Sequence, residues 1–292
     1  MQLQPTILRS VGAAYLLIGL GACSQPDPAS IAAESAPTLI AATRPRSWNY
    51  VAIGGDFTYG HGWDDLFAAH LQDDLGVDIR FQDLSTHDNI RLPRWIERIQ
   101  SDDDLRKAVE DADVLTVDVQ VWAYLSRAEA LFQSGFCGGE DNEECLREAL
   151  ADLEGDVDPF FDEVTRLADP SLTLVYTFDL GNFLYYAPLD DNGFFGPPFT
   201  EEQKLVVAGY ALEAFAAVRK AAEARGITVV DLVPSFQPDG PFTPPPEEDY
   251  FLMLGFSAEG EEVIADLLRQ QGYEYHRPLT QQRPIAISIR AA

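Results

Sequence analysis

From residue 48 onward, short apolar runs alternate with longer segments of helical period, and this alternation restricts the fold more than any other feature of the chain. Tyr50–Ile53 predicts a first strand. Trp63, Leu66, Phe67, His70, Leu71 and Leu75 then recur at helical spacing up to Gly76, which places His70 on the apolar face as a packed core histidine. Val77–Gln82 predicts a second strand, Arg91–Ala112 two helices broken near Ser101, and Val114–Val121 a third strand of alternating character. A helix over Glu144–Ala168, a strand over Leu172–Phe178 and a helix over Glu201–Arg225 follow. A strand over Ile227–Leu232 and a helix over Ser257–Gln271, N-capped by Ser257, complete the series. Strands joined through helices run parallel and need cover on both faces. Right-handed crossovers then lead to a flavodoxin-like three-layer α/β/α sandwich with five parallel strands in the order 2-1-3-4-5. Ile285–Ile289, in the tail 273–292, is a candidate edge strand.

The chain ahead of this domain reads differently. Residues 1–22 carry Arg9, an apolar run from Val11 to Leu20 and then Gly21-Ala22-Cys23. The run has the length of a signal-peptide core and is short for a membrane span. Cleavage before Cys23 and its lipidation are therefore expected, which makes the membrane a partner and puts the chain on the extracytoplasmic side. Residues 23–46, rich in Ala, Ser and Pro, predict a flexible tether, and 47–292 the folded domain. In an exported chain, Cys137 and Cys145 predict a small-loop disulfide.

Acidic residues number 48 against 20 basic ones, for a net charge of −28. Such a surface repels phosphate backbones, so nucleic acid is excluded as a partner. No Walker A sequence occurs and no Gly-x-Gly-x-x-Gly follows a strand, so no cofactor is expected. His61, His87 and Asp88 lack the spacing of a metal set.

The first strand breaks at Gly54-Gly55-Asp56-Phe57 and enters a helix near Trp63. The second leads to Asp83-Leu-Ser-Thr-His-Asp88, the third to Gln120-Val-Trp-Ala123, and the last helix follows Leu252-Met-Leu-Gly255. In this order the landmarks resemble those of the SGNH/GDSL hydrolases. The resemblance implies acyl transfer by a serine, a histidine and an aspartate, with an oxyanion held by backbone N–H groups and an asparagine side chain. At the matching positions stand Phe57 for the serine, Thr86 for the oxyanion glycine, Trp122 for the asparagine, and Leu252 and Gly255 for Asp and His. Phenylalanine offers no nucleophilic atom, and loss of nucleophile and base together removes most of such a catalyst's rate. The resemblance thus implies a degenerate member, a pseudo-esterase.

Asp56 remains from the first block, and its expected role is to cap loop or helix N–H groups. With Phe57 and Trp122 it forms the candidate ligand-binding set, for a glycan, an acyl group or a protein. The aromatic run 182–199 is a candidate cover for the same cleft, and Asp190-Asp-Asn-Gly193 predicts a turn. The alternative is an esterase with a relocated site around Ser85 and His87, with His61 nearby, which requires the Ser85 hydroxyl within about 3 Å of an imidazole nitrogen.

Overall fold

A computed structural model describes residues 47–180, 199–240, 251–252 and 255–273. Cys23, the tether, residues 182–198 and the tail beyond 273 lie outside the described residues. The elements run β1 (Ser47–Ile53), α1 (Trp63–Leu75), β2 (Asp78–Asp83), α2 (Leu92–Ser101), α3 (Asp103–Asp111), β3 (Val114–Val117) and α4 (Trp122–Gln133). They continue α5 (Glu144–Leu167), β4 (Leu174–Asp179), α6 (Glu201–Glu223), β5 (Thr228–Asp231), α7 (Val233–Phe236), β6 (Phe251–Leu252), β7 (Gly255–Phe256) and α8 (Ala258–Gln270).

The main sheet has the order β2-β1-β3-β4-β5 with every pair parallel, as the alternation of elements predicts. Its side chains obey the two-residue period of a pleated strand. Val51 and Ile53 of β1, Leu115 and Val117 of β3 and Val175 of β4 join a core with α2 to α6. Tyr50, Ala52, Tyr176 and Phe178 point the other way, into a core with α1 and α8. The α5 helix braces the first layer, packing against α2, α3, α4 and α6, while α1 packs on α8 in the second.

Local chemistry sets the boundaries. Gly76 closes α1 at φ +62°, a left-handed position that glycine takes without strain. The Asp102 side chain accepts the N–H groups of Asp104 and Leu105, so α2 ends and α3 starts where the sequence breaks. Thr200 and Gln203 form a reciprocal capping box at the start of α6. Cys137, ahead of α5, is joined by a disulfide to Cys145 in its first turn. His70 does not reach the core: it lies half-buried between α1 and α8, with Nε2 3.3 Å from Asp266. Among the described residues no helix is long and apolar enough to cross a membrane.

The third strand is shorter than its sequence suggests. Val119 and Val121 continue the alternation, but the ladder ends once the Asp118 N–H has bonded to the Ile53 carbonyl. The Val121 N–H turns back to the Val119 carbonyl at 2.7 Å, and α4 starts at once. That helix is absent from the sequence-based expectation, because its polar residues mask the apolar face of Tyr124, Leu125, Ala128 and Phe132.

Candidate functional site

At the carboxyl end of the sheet, the β1–α1 loop is pinned by two glycines. A Cβ on Gly54 would lie 2.4 Å from the Asp118 Cβ, and one on Gly55 would lie 1.2 Å from Gln120 Nε2. Only bare backbone fits between these side chains. The Gly55 N–H donates to Asp118 Oδ2 at 3.0 Å, and its carbonyl accepts the N–H groups of Thr58 and Tyr59. Capping of this loop thus falls to Asp118. Asp56 is exposed, pairs with His87 Nδ1 at 3.2 Å and accepts from Asn89 Nδ2 at 3.0 Å.

Phe57 turns toward α1 and α8. Its ring lies 5.5 Å from Trp63 and 4.9 Å from Phe178 in tilted contacts, and 5.3 Å from Phe256 edge to face. Its carbonyl accepts the Trp63 indole N–H at 2.9 Å. The position where the resemblance expects a nucleophile is therefore occupied by a ring packed in an aromatic cluster.

The neighbouring positions are closed as well. The Thr86 N–H donates to the Gly54 carbonyl at 2.9 Å, so it is not free to hold an oxyanion, and its hydroxyl oxygen accepts from the Asp88 N–H. Trp122 does not share a cleft with Phe57. It opens α4 and faces Phe215 of α6 at 6.4 Å, on the opposite side of the sheet. The amide that spans the loops is Gln120, two residues earlier. Its Oε1 accepts from the Ile90 N–H at 3.0 Å and the Trp95 indole at 3.4 Å, and its Nε2 donates to the Asp88 carbonyl at 3.3 Å. Gln120 was legible as the amide in Gln120-Val-Trp-Ala123, but the alternating pattern places it inside the third strand and the resemblance puts the asparagine at Trp122. Leu252 and Gly255 face each other in the antiparallel β6–β7 pair.

The alternative triad is not assembled. The Ser85 hydroxyl and N–H both bond to Asp83 Oδ1. His87 is paired with Asp56, lies beside Tyr59, and its side chain is 81% exposed. His61 Nδ1 sits 3.5 Å from Glu261 Oε1, with its ring edge-on to Phe256. Thr58 Oγ1 is buried without a hydrogen-bond partner among the described residues. No three His, Cys, Asp or Glu side chains gather at one point among the described residues.

Burial raises three carboxyls. Asp118 is pushed up to about 7, mainly by desolvation, which its bond from Gly55 only partly offsets and which the charge of Asp56 reinforces. Asp64, at the start of α1, also rises to about 7 through desolvation. Glu129 of α4 rises to about 8, with burial as its sole cause.

No protein-family model and no curated protein matches the sequence. Solved structures do resemble the fold. A lipase from a goat rumen metagenome aligns over 79% of this chain and 100% of its own, with TM-score 0.58 and 16% identity. An extracellular lipase from Streptomyces rimosus aligns over 76% of this chain and 99% of its own, with TM-score 0.52 and 14% identity. The likeness is one of fold.

Proposed function

We propose that this chain, which carries the α/β fold of the SGNH/GDSL hydrolases, is a catalytically inactive member held at the cell envelope by a lipid on Cys23 and acting by binding a ligand or partner there. The observation that carries this is Phe57. Its ring stands where the resemblance expects a nucleophilic hydroxyl and is wedged among Trp63, Phe178 and Phe256. Acyl transfer needs an oxygen or sulfur there, a base within hydrogen-bond reach and donors aimed at the oxyanion. Here the Thr86 N–H is committed to Gly54, and the Gln120 amide is committed on both of its ends. The sequence around Cys23 supports the anchor.

The test is ester hydrolysis by the purified protein on short and medium p-nitrophenyl esters, with fluorophosphonate labelling alongside. The expected result is no turnover above buffer and no labelling. Turnover abolished by Ser85→Ala or His87→Ala would overturn the proposal in favour of a relocated esterase site. Anchoring is read separately: Cys23→Ser is expected to move the protein from the membrane fraction to the soluble one.

A further inference from the structure

We infer that the recess between α2 and the loop after β2 binds a small hydroxylated oxyanion, a sugar acid or sugar phosphate, with Arg98 as its anchor. This deepens the binding role proposed above by naming a ligand class, and rests on it only in that respect. The recess encloses about 350 Å³, within the range of small-ligand sites and enough for a sugar-sized molecule.

Arg98 carries the argument. In a chain with 48 acidic residues against 20 basic ones, its guanidinium forms no ion pair with any described residue. It stacks instead over the ring of Trp95 at 4.9 Å, and Trp95 is itself fully buried. This cation–π contact holds the guanidinium against the ring and leaves its N–H groups for a partner. A planar fork held in this way matches two oxygens of a carboxylate or phosphate.

The rest of the lining fits a hydroxylated anion. Arg94 adds a second cation, which among the described residues forms an ion pair with Glu97 alone, three residues on in an exposed pair that solvent weakens. Thr86 Oγ1 accepts from the Asp88 N–H and retains its own proton to donate, and Ser101 adds another hydroxyl. Asp88 and Glu97 balance the two arginines, so an anion meets no net charge here although the chain as a whole is at −28. These two carboxylates are acceptors for sugar hydroxyls. The recess shares Thr86 with the closed hydrolase position, so the site lies beside the old chemistry without using it.

The experiment is calorimetric titration of the full chain at low salt with glucuronate, glucose 6-phosphate and neutral glucose. Saturable binding of at least one anion is expected, with glucose about tenfold weaker or worse. The two anions distinguish a carboxylate source from a phosphate source. Arg98→Gln, which keeps most of the stem on Trp95 without the charge, and Arg98→Ala are each expected to weaken binding by about tenfold or more. Arg127→Ala, an exposed cation on α4, is expected to bind like the parent. Absence of saturable binding by both anions, unchanged affinity in Arg98→Gln, or an equal loss in Arg127→Ala would each overturn the inference. Should Arg98→Ala fail to fold, Arg98→Gln decides alone. Binding is read without turnover, so this result and the hydrolysis test fail independently.

Discussion

On the α1–α8 side of the sheet, the β1–α1 loop ends in rings: Phe57 against Trp63, Phe178 and Phe256. On the α2 side, the same loop ends in a polar clasp: Asp118 on the Gly55 N–H, and Gln120 laid over Gly55 while it joins Ile90, Trp95 and Asp88. The two halves close the loop by different physics. Ring packing scales with buried area and tolerates small shifts. A buried polar clasp holds only while every donor and acceptor is matched, and it responds to pH where one member titrates. The aromatic half should therefore yield to truncation at any pH, the polar half to charge and to loss of a single partner.

The largest expected effect lies in the clasp. Burial holds the Asp118 carboxyl at about 7, well above the unfolded value near 3.9. The folded state thus keeps a proton that the unfolded chain releases. The associated stability is fully present below about pH 4 and is lost as pH rises to about 7. The ceiling on that loss is about 4 kcal/mol, taking about 1.4 kcal/mol for each pH unit. Asp118→Asn keeps an oxygen for the Gly55 N–H and cannot ionise. In urea unfolding it is expected to match the parent only below about pH 4 and to exceed it by a growing margin as pH rises through 5 to 8. Asp64 and Glu129 shift in the same direction, so the slope flattens without vanishing. An unaltered slope would mean that Asp118 is not the titrating part of the clasp.

Next comes the aromatic half. Phe57→Ser puts a hydroxyl where the resemblance expects one and removes a ring from the cluster. Full truncation of a buried phenylalanine costs about 3–5 kcal/mol, and this half-buried ring sits at the lower end, about 3 kcal/mol. The loss should be nearly the same at pH 5 and pH 8, unlike that in the clasp. No ester turnover is expected, since among the described residues His61 and His87 pair with carboxylates, and neither is bonded to a hydroxyl. Turnover in this variant would show that the rest of a working site survives behind the ring.

The strands and their order were legible because apolar residues of period two, separated by helical segments, admit few parallel arrangements. Phe57 was legible as an apolar residue in the Gly54-Gly55-Asp56-Phe57 loop, where the resemblance expects a serine. Its neighbours were not, because Phe178 and Phe256 come from strands far along the chain and only the fold brings their rings together. The clasp was hidden for a different reason. Asp118 and Gln120 lie within Val-Asp-Val-Gln-Val, where alternation reads as a half-exposed strand. In the structure the strand stops at Val117, and both polar side chains are buried by the turn that follows. Trp122 was grouped with Phe57 because the resemblance places the oxyanion asparagine there, and the early start of α4 carries it to the other layer.

The smallest of the three effects isolates the amide. Gln120→Ala leaves Asp118 and the aromatic cluster in place and strips the acceptor from the Ile90 N–H and the buried Trp95 indole. A buried donor left without a partner costs about 1–3 kcal/mol, and water entering the vacated space beside Gly55 can satisfy part of it, so a loss of about 2 kcal/mol is expected. Gly55 supplies the complementary arm. A Cβ there overlaps the Gln120 amide in the parent but finds room once that amide is gone. Gly55→Ala should therefore be strongly destabilising alone and add little in the Gln120→Ala background, a non-additivity read from a double-mutant cycle in urea. Simple additivity would mean that the glycine is required for its own backbone shape and that Gln120 is merely adjacent, which would reduce the clasp to Asp118 alone.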